Sequence, residues 1–215
     1  SVQVADMLAR AQIAAGHPGL ARDQLQHAVD LQPQNDKLRL EYARLLAADT
    51  HTRDQALQQI QTVLKRVPKD LDALQLQFDI QMAAQDWRAA SATARTVKQA
   101  VPGAVQGGYM LGLADQGAKR YDAAAAEFQA VLDKAPDAAA PLSALGKNYL
   151  IQHRAKEALK AVAAVLQRSP HNSVAYNLRG EVLLLQKDTA GAGRAFEQAS
   201  KENPAWVVPY RNRAA

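Results

Sequence analysis

Proline residues recur along the chain at an almost constant interval, and this interval constrains the fold more than any other feature. Six of them are evenly spaced, except that the first interval is longer by one position, and an alanine stands twelve positions before each proline. A fixed period of about 34 residues predicts a linear array of stacked supersecondary units, because each unit buries its apolar face against its neighbours. The prolines are Pro33, Pro68, Pro102, Pro136, Pro170 and Pro204, and the alanines are Ala21, Ala56, Ala90, Ala124, Ala158 and Ala192.

Within each period the apolar residues indicate two helices that are separated by a turn and ended by the proline. In the fifth period Ala158, Val162 and Val165 share one helical face, and Pro170 follows that helix. Proline cannot continue a helix, since it lacks a backbone N–H and clashes with the preceding turn. The chain is therefore predicted to be all-α and built from helix-turn-helix units.

The period divides the chain into six complete units and the start of a seventh. The second unit has one extra residue in its turn. The third departs from the pattern, because Phe78 stands where other units have Gly or Ala, and Ala94 replaces a large apolar residue. We expect one continuous array without a central core, cut from a longer protein because the seventh unit is incomplete. The predicted units are 2–35, 36–70, 71–104, 105–138, 139–172, 173–206 and 207–215.

Composition and motifs argue against several functional classes. There is no cysteine, and the five histidines do not pair one helical turn apart, so no metal site is predicted. No nucleophile, phosphate-loop or zinc-protease motif is present, which predicts no catalytic residue, no cofactor and no enzyme activity. No apolar run approaches the roughly 18 residues of a membrane helix, so no membrane insertion by this segment is expected. The net charge is +5, but basic residues alternate with acids and aromatics are only 5%, so nucleic acid is not the expected partner.

The residues of each unit resemble the tetratricopeptide repeat. This resemblance implies a right-handed α-solenoid, in which a small residue of the first helix and the alanine of the second lie where the two helices cross. The Ala- and Gln-rich texture is also similar to bacterial envelope arrays associated with exopolysaccharide production and export, which favours the periplasm or envelope over the cytoplasm. The residues that carry the main resemblance in the sixth unit are Tyr176, Gly180, Leu183, Ala192, Phe196, Ala199 and Pro204, and in the fourth Leu111, Gly112, Tyr121, Ala124, Phe128, Val131 and Pro136.

The resemblance also implies a binding surface, namely a concave groove that is lined by the first helices and holds an extended peptide or a partner helix. Basic positions would pair with acidic groups of the partner, and Tyr109, Leu113 and Leu40 would make apolar contacts. For the charged positions, an ordinary solvated helix face is the alternative. By analogy with the family, the groove residues are Asp6, Arg10, Leu40, Arg44, Gln75, Asp79, Tyr109, Leu113, Ser143, Lys147, Asn177 and Glu181.

We therefore expect a non-enzymatic scaffold that binds a protein or peptide in this groove. A chaperone-type clamp for a C-terminal carboxylate is excluded, since Asp6 and Asp79 would repel it. Three alternatives stay open. The chain could be the recognition or regulatory module of a larger enzyme or of an envelope polysaccharide or secretion machine. It could self-associate through its ends, at 206–210 and 2–8. Its net positive charge could instead serve nucleic acid.

Overall fold

The computed structural model describes the backbone of residues 2–214 and the side chains in that range, except those of Val2, Gln3, Ala5, Asp6, Arg10, Ile13 and Ala214. The described chain is all-α, as predicted, and its consecutive helices pack in pairs. A short 3₁₀ turn at Thr50–Thr52 separates α3 from α4. The helices are α1 (Val2–Ala14), α2 (Pro18–Leu31), α3 (Asp36–Ala47), α4 (Arg53–Arg66), α5 (Leu71–Ala83), α6 (Trp87–Ala100), α7 (Gln106–Gly117), α8 (Tyr121–Lys134), α9 (Ala139–Ile151), α10 (Ala155–Arg168), α11 (Ser173–Leu185), α12 (Thr189–Glu202) and α13 (Val207–Ala214).

The periodic prolines determine where the second helix of each pair ends. In each of the six pairs, the last helical residue lies two positions before the proline. The residue between them has left the helical conformation, with φ −134° and ψ 68° at Gln32 and φ −137° and ψ 78° at Ser169. A residue that precedes proline is disfavoured in the α region, because the proline ring clashes with its backbone. The regular spacing of prolines is thus translated directly into regular helix ends.

The turn inside most pairs is formed by a residue in the left-handed conformation, seventeen positions before the proline. Gly16 has φ 79°, whereas the equivalent residue is not glycine in four later pairs. The next residue closes the turn, as when the Asp188 N–H donates to the Leu183 carbonyl at 3.0 Å. The second pair differs because its extra residue is accommodated in the 3₁₀ turn. The non-glycine residues are Gln85, Lys119, His153 and Lys187, with φ between 57° and 66°.

The non-glycine residues in the left-handed backbone conformation lower the stability of the fold. Replacing one of them with glycine tests this. Changing Lys187 to glycine is expected to raise the free energy of unfolding by about 0.5–1 kcal/mol, because glycine adopts positive φ without a steric cost. Urea denaturation followed by circular dichroism measures the change. The matched control is Lys160→Gly inside α10, which should lower the free energy of unfolding by about 1 kcal/mol. Equal destabilisation by both changes would contradict the argument.

The periodic alanines lie in the buried interior of the helical pairs. All six of these alanines are 0% exposed. Opposite them, glycines of the first helix face aromatic rings of the second: a Cβ built on Gly112 would lie 2.5 Å from Phe128 Cε1, and one on Gly180 would lie 2.4 Å from Phe196 Cε1. Real Cβ atoms do not come this close to a ring atom, so only glycine permits this helix separation.

The chain divides into two compact units, residues 1–100 with α1–α6 and residues 101–215 with α7–α13. Each has its own buried apolar cluster. The spacing of the repeats in the sequence does not show this division. The division falls at the end of the unusual third repeat, where Phe78 and Ala94 are both buried. The segment 101–105, which contains Pro102 and Gly103, interrupts the helices on either side.

Within each unit, first helices of neighbouring pairs also pack side by side. In residues 101–215, α9 packs against both α7 and α11. Gly146 of α9 allows this approach, since a Cβ on it would lie 2.4 Å from Leu178 Cδ2 of α11. Asn148 is fully buried, and its Nδ2 donates to the Tyr121 carbonyl at 2.8 Å, which links α9 to the preceding pair. The outward edges of α9 and α11 are therefore held next to each other.

Candidate binding surface

The outward edge of α9 carries three exposed side chains at intervals of four residues. These are Ser143, Lys147 and Ile151. Residues four apart lie on the same face of a helix, so the three form one stripe along α9. Ile151 ends this stripe and is 46% exposed, although it is a large apolar side chain.

The outward edge of α11 has the same four-residue spacing one period later in the sequence, but only its C-terminal end is exposed. Asn177, Glu181 and Leu185 again lie four residues apart, and the helix ends in Leu184 and Leu185, which are 38% and 67% exposed. Since α9 packs against α11, the two stripes are neighbours. We call the resulting surface the α9–α11 face. It consists of Ser143, Lys147, Ile151, Glu181, Leu184 and Leu185.

Asn177, which the sequence analogy placed in the groove, does not belong to this exposed surface. It is only 5% exposed. Its Nδ2 donates to Glu181 Oε1 at 2.8 Å, and its Oδ1 accepts a hydrogen bond from Asn212 Nδ2 of α13 at 3.2 Å. Asn212 also donates to Glu181 at 3.3 Å. These hydrogen bonds hold α13 beside α11. Asn177 is buried because α13 covers it.

Leu40, which the sequence analogy also placed in the groove, is likewise buried. It is 5% exposed and belongs to the same apolar cluster as Ala73 and Ile80 of α5. The cause is the packing of α3 against α5, which covers the side of α3 that the sequence analogy placed in the open. One turn later, Arg44 is exposed and forms an ion pair with Glu41 at 3.2 Å.

The remaining predicted positions are distributed over both units. On α5, Gln75 donates to Asp79 at 2.9 Å. On α7, Tyr109 and Leu113 are half-buried and pack on the apolar cluster of their unit. The Tyr109 ring lies 6.0 Å from the Phe128 ring, and burial raises the pKa of its phenol. The side chains of Asp6 and Arg10 lie outside the described residues.

The sequence analysis missed the apolar ends of the α9–α11 face. Ile151 and Leu185 occupy equivalent positions in successive repeats, and each follows a predicted position, Lys147 or Glu181, by four residues. Continuing the i, i+4 pattern by one step would have found them. They were overlooked because an apolar residue near a helix end is ordinarily assigned to the core.

Among the described residues, no three His, Cys, Asp or Glu side chains are gathered as they would be around a metal ion. Across the helices of residues 2–214, none is both long enough and apolar enough to cross a membrane.

Residues 143–205, which include both stripes of the α9–α11 face, match the family model of the tetratricopeptide repeat. The main resemblance stated from the sequence is thereby confirmed. No curated protein sequence matches the chain.

Solved structures show that the same fold extends over the rest of the chain. A tetratricopeptide repeat protein from Parabacteroides merdae is 16% identical, with a TM-score of 0.65 over 99% of this chain and 83% of that one. MamA from Desulfovibrio magneticus is 19% identical, with a TM-score of 0.63 over 78% of this chain and 96% of that one. YrrB, described as having an unusual peptide-binding site, is 15% identical, with a TM-score of 0.53 over 89% of this chain and 98% of that one.

Proposed function

We propose that the protein is a non-enzymatic scaffold that holds a peptide or a partner helix against the α9–α11 face. The observation that carries this proposal is the repeated exposure of Ile151 and Leu185 at equivalent positions of two helices that pack together. Side chains of this size are ordinarily buried, and exposed apolar residues grouped in one patch mark interaction sites. The peptide-binding site described for YrrB agrees with this class of partner.

The α9–α11 face offers apolar side chains for contact and a charged side chain that can orient the partner. Complete burial of one such apolar side chain contributes about 1.5–3 kcal/mol, and part of this remains available at Ile151 and Leu185. Lys147 is exposed and offers a charge to an acidic group of the partner. Since the helices are already held in place by Gly146 and Asn148, binding would not require them to be ordered first.

A pull-down from the native cell extract tests the proposal with two matched double variants. Ile151→Ser with Leu185→Ser removes the apolar ends of the face, which are 46% and 67% exposed. The control is Val67→Ser with Leu31→Ser, at side chains that are 45% and 69% exposed outside the face. Because all four residues are exposed, both variants should retain the helical circular dichroism of the parent.

The expected result is a partner that the parent and the control variant capture and that the face variant loses. Mass spectrometry of the captured material would identify the partner. A partner retained equally by both variants would place the binding site elsewhere. The bacterial envelope is the proposed setting, supported only by the Ala- and Gln-rich texture of the chain.

A further inference from the structure

A cleft of about 260 Å³ opens between α11 and α12, on a different side of α11 from the α9–α11 face. Arg179 projects from α11 into this cleft and lies two residues from both Asn177 and Glu181. Two residues correspond to roughly 200° of rotation around a helix. A ligand in the cleft would therefore leave the α9–α11 face free.

One of the residues that line the cleft is an arginine at a position where the two preceding repeats have a buried leucine. Leu111, Leu145 and Arg179 are each one period apart, so the three occupy equivalent positions in successive repeats. Leu145 is 0% exposed and Leu111 is 7% exposed, whereas Arg179 is exposed. A guanidinium is too costly to bury without a partner, so it stays at the rim of the cleft.

Charge and apolar surface are arranged separately around the cleft. Leu183 and Ala195 supply apolar surface at its floor, and Tyr176 adds a half-buried ring. Arg179 and Arg194 supply two positive charges at its rim, and both are exposed. A volume of 260 Å³ is small for a cofactor but is sufficient for one amino-acid side chain.

Unlike Arg154 and Arg168 of the same unit, the two arginines have no carboxylate partner among the described residues. Arg154 lies 2.8 Å from Glu157, and Arg168 lies 3.4 Å from Asp133. The one carboxylate that lines the cleft is Asp188, and its Oδ1 already accepts the Gly191 N–H at 2.8 Å as the N-cap of α12. The lining therefore keeps a net positive charge.

We propose that this cleft binds a carboxylate on a short apolar stem, namely an acidic residue of a peptide partner. The methylene groups would contact Leu183 and Ala195, and the carboxylate would accept hydrogen bonds from Arg179 and Arg194. Arginine suits this role because its planar guanidinium matches the geometry of a carboxylate. The carboxylate can come from a glutamate side chain or from a chain terminus, and the experiment distinguishes these sources.

Fluorescence anisotropy with labelled peptides tests the site in the full chain. The probes are a Glu-rich peptide with an amidated C-terminus, its Gln counterpart, and the Gln peptide with a free C-terminal carboxylate. Arg179→Ala and Arg194→Ala are each expected to weaken binding of the Glu-rich peptide by about tenfold. The matched control is Lys160→Ala, which removes one exposed positive charge from α10 outside the cleft and should change binding by less than about twofold.

A charge-reversed protein separates loss of the site from loss of the fold. Arg179→Glu with Arg194→Glu should no longer bind the Glu-rich peptide and should bind a Lys-rich peptide instead. Equal binding of the Glu-rich and amidated Gln peptides, or an equal loss in Lys160→Ala, would overturn the proposal. Binding of the Gln peptide only when its terminus is free would assign the cleft to a terminal carboxylate.

Since Ile151 and Leu185 lie outside the cleft, their double variant should bind the Glu-rich peptide like the parent, so this proposal and the proposed function fail independently.

Discussion

Replacing Phe196 with alanine is expected to lower the free energy of unfolding by about 3–5 kcal/mol. Phe196 of α12 is 1% exposed and its ring faces Gly180 of α11, so its removal leaves a cavity where α11 and α12 cross. The loss is a large share of the total stability, which is about 5–15 kcal/mol for an ordinary domain. Urea denaturation followed by far-ultraviolet circular dichroism measures it.

Leu185→Ala provides the control for this prediction. Leu185 is 67% exposed on the neighbouring helix, so its truncation removes apolar atoms without creating a cavity. We expect a change within about 0.5 kcal/mol. A loss of similar size in both variants would show that the ring of Phe196 does not fill the crossing as described. Phe128→Ala should reproduce the large loss, because Phe128 is 0% exposed and faces Gly112 in the same way.

Two glycines in the same pair are expected to respond to alanine with opposite signs. A Cβ at Gly180 would lie 2.4 Å from Phe196 Cε1, whereas a Cβ at Gly193 of α12 would meet nothing within 4 Å. Overpacking against a rigid ring costs about 1–3 kcal/mol, and this outweighs the helical preference of alanine over glycine. At Gly193 only that preference remains, and it should raise the free energy of unfolding by up to about 1 kcal/mol.

The same urea experiment, with a double variant added, identifies the cause. In Gly180→Ala with Phe196→Leu, the smaller side chain gives room for the new methyl group. The combined loss should therefore be smaller than the two single losses together, as is usual for residues in contact. Additive losses, or a stabilising Gly180→Ala change, would mean that the helices can separate at this crossing without cost.

The repeat architecture could be predicted because it depends on local steric constraints that recur in every period. Pro170 ends its helix through the geometry of the preceding residue, whatever surrounds it. Gly180 and Phe196 identify a crossing because a ring can approach a helix this closely only where there is no Cβ. These constraints act within one helical pair, so they can be read from spacing alone.

The candidate surface could be predicted only in part, because exposure depends on elements outside the pair. Ser143 and Asn177 hold equivalent positions in neighbouring repeats, yet Ser143 is exposed and Asn177 is 5% exposed. The difference is made by α13, whose Asn212 binds Asn177. Leu40 is covered in the same manner by the packing of α3 against α5. The spacing of residues in the sequence does not show which neighbouring helix covers a given helix face.

The sequence by itself determined the all-α repeat fold, the helix ends and the small residues at the crossings, since these follow from steric limits between residues of one repeat. Only the tertiary structure decided that the chain forms two compact units and that Ile151 and Leu185 stay exposed. It also decided that Arg179 lines a cleft whereas Leu145 fills a core. The physical reason is that burial is a property of all the neighbours of a side chain, and those neighbours come from different repeats.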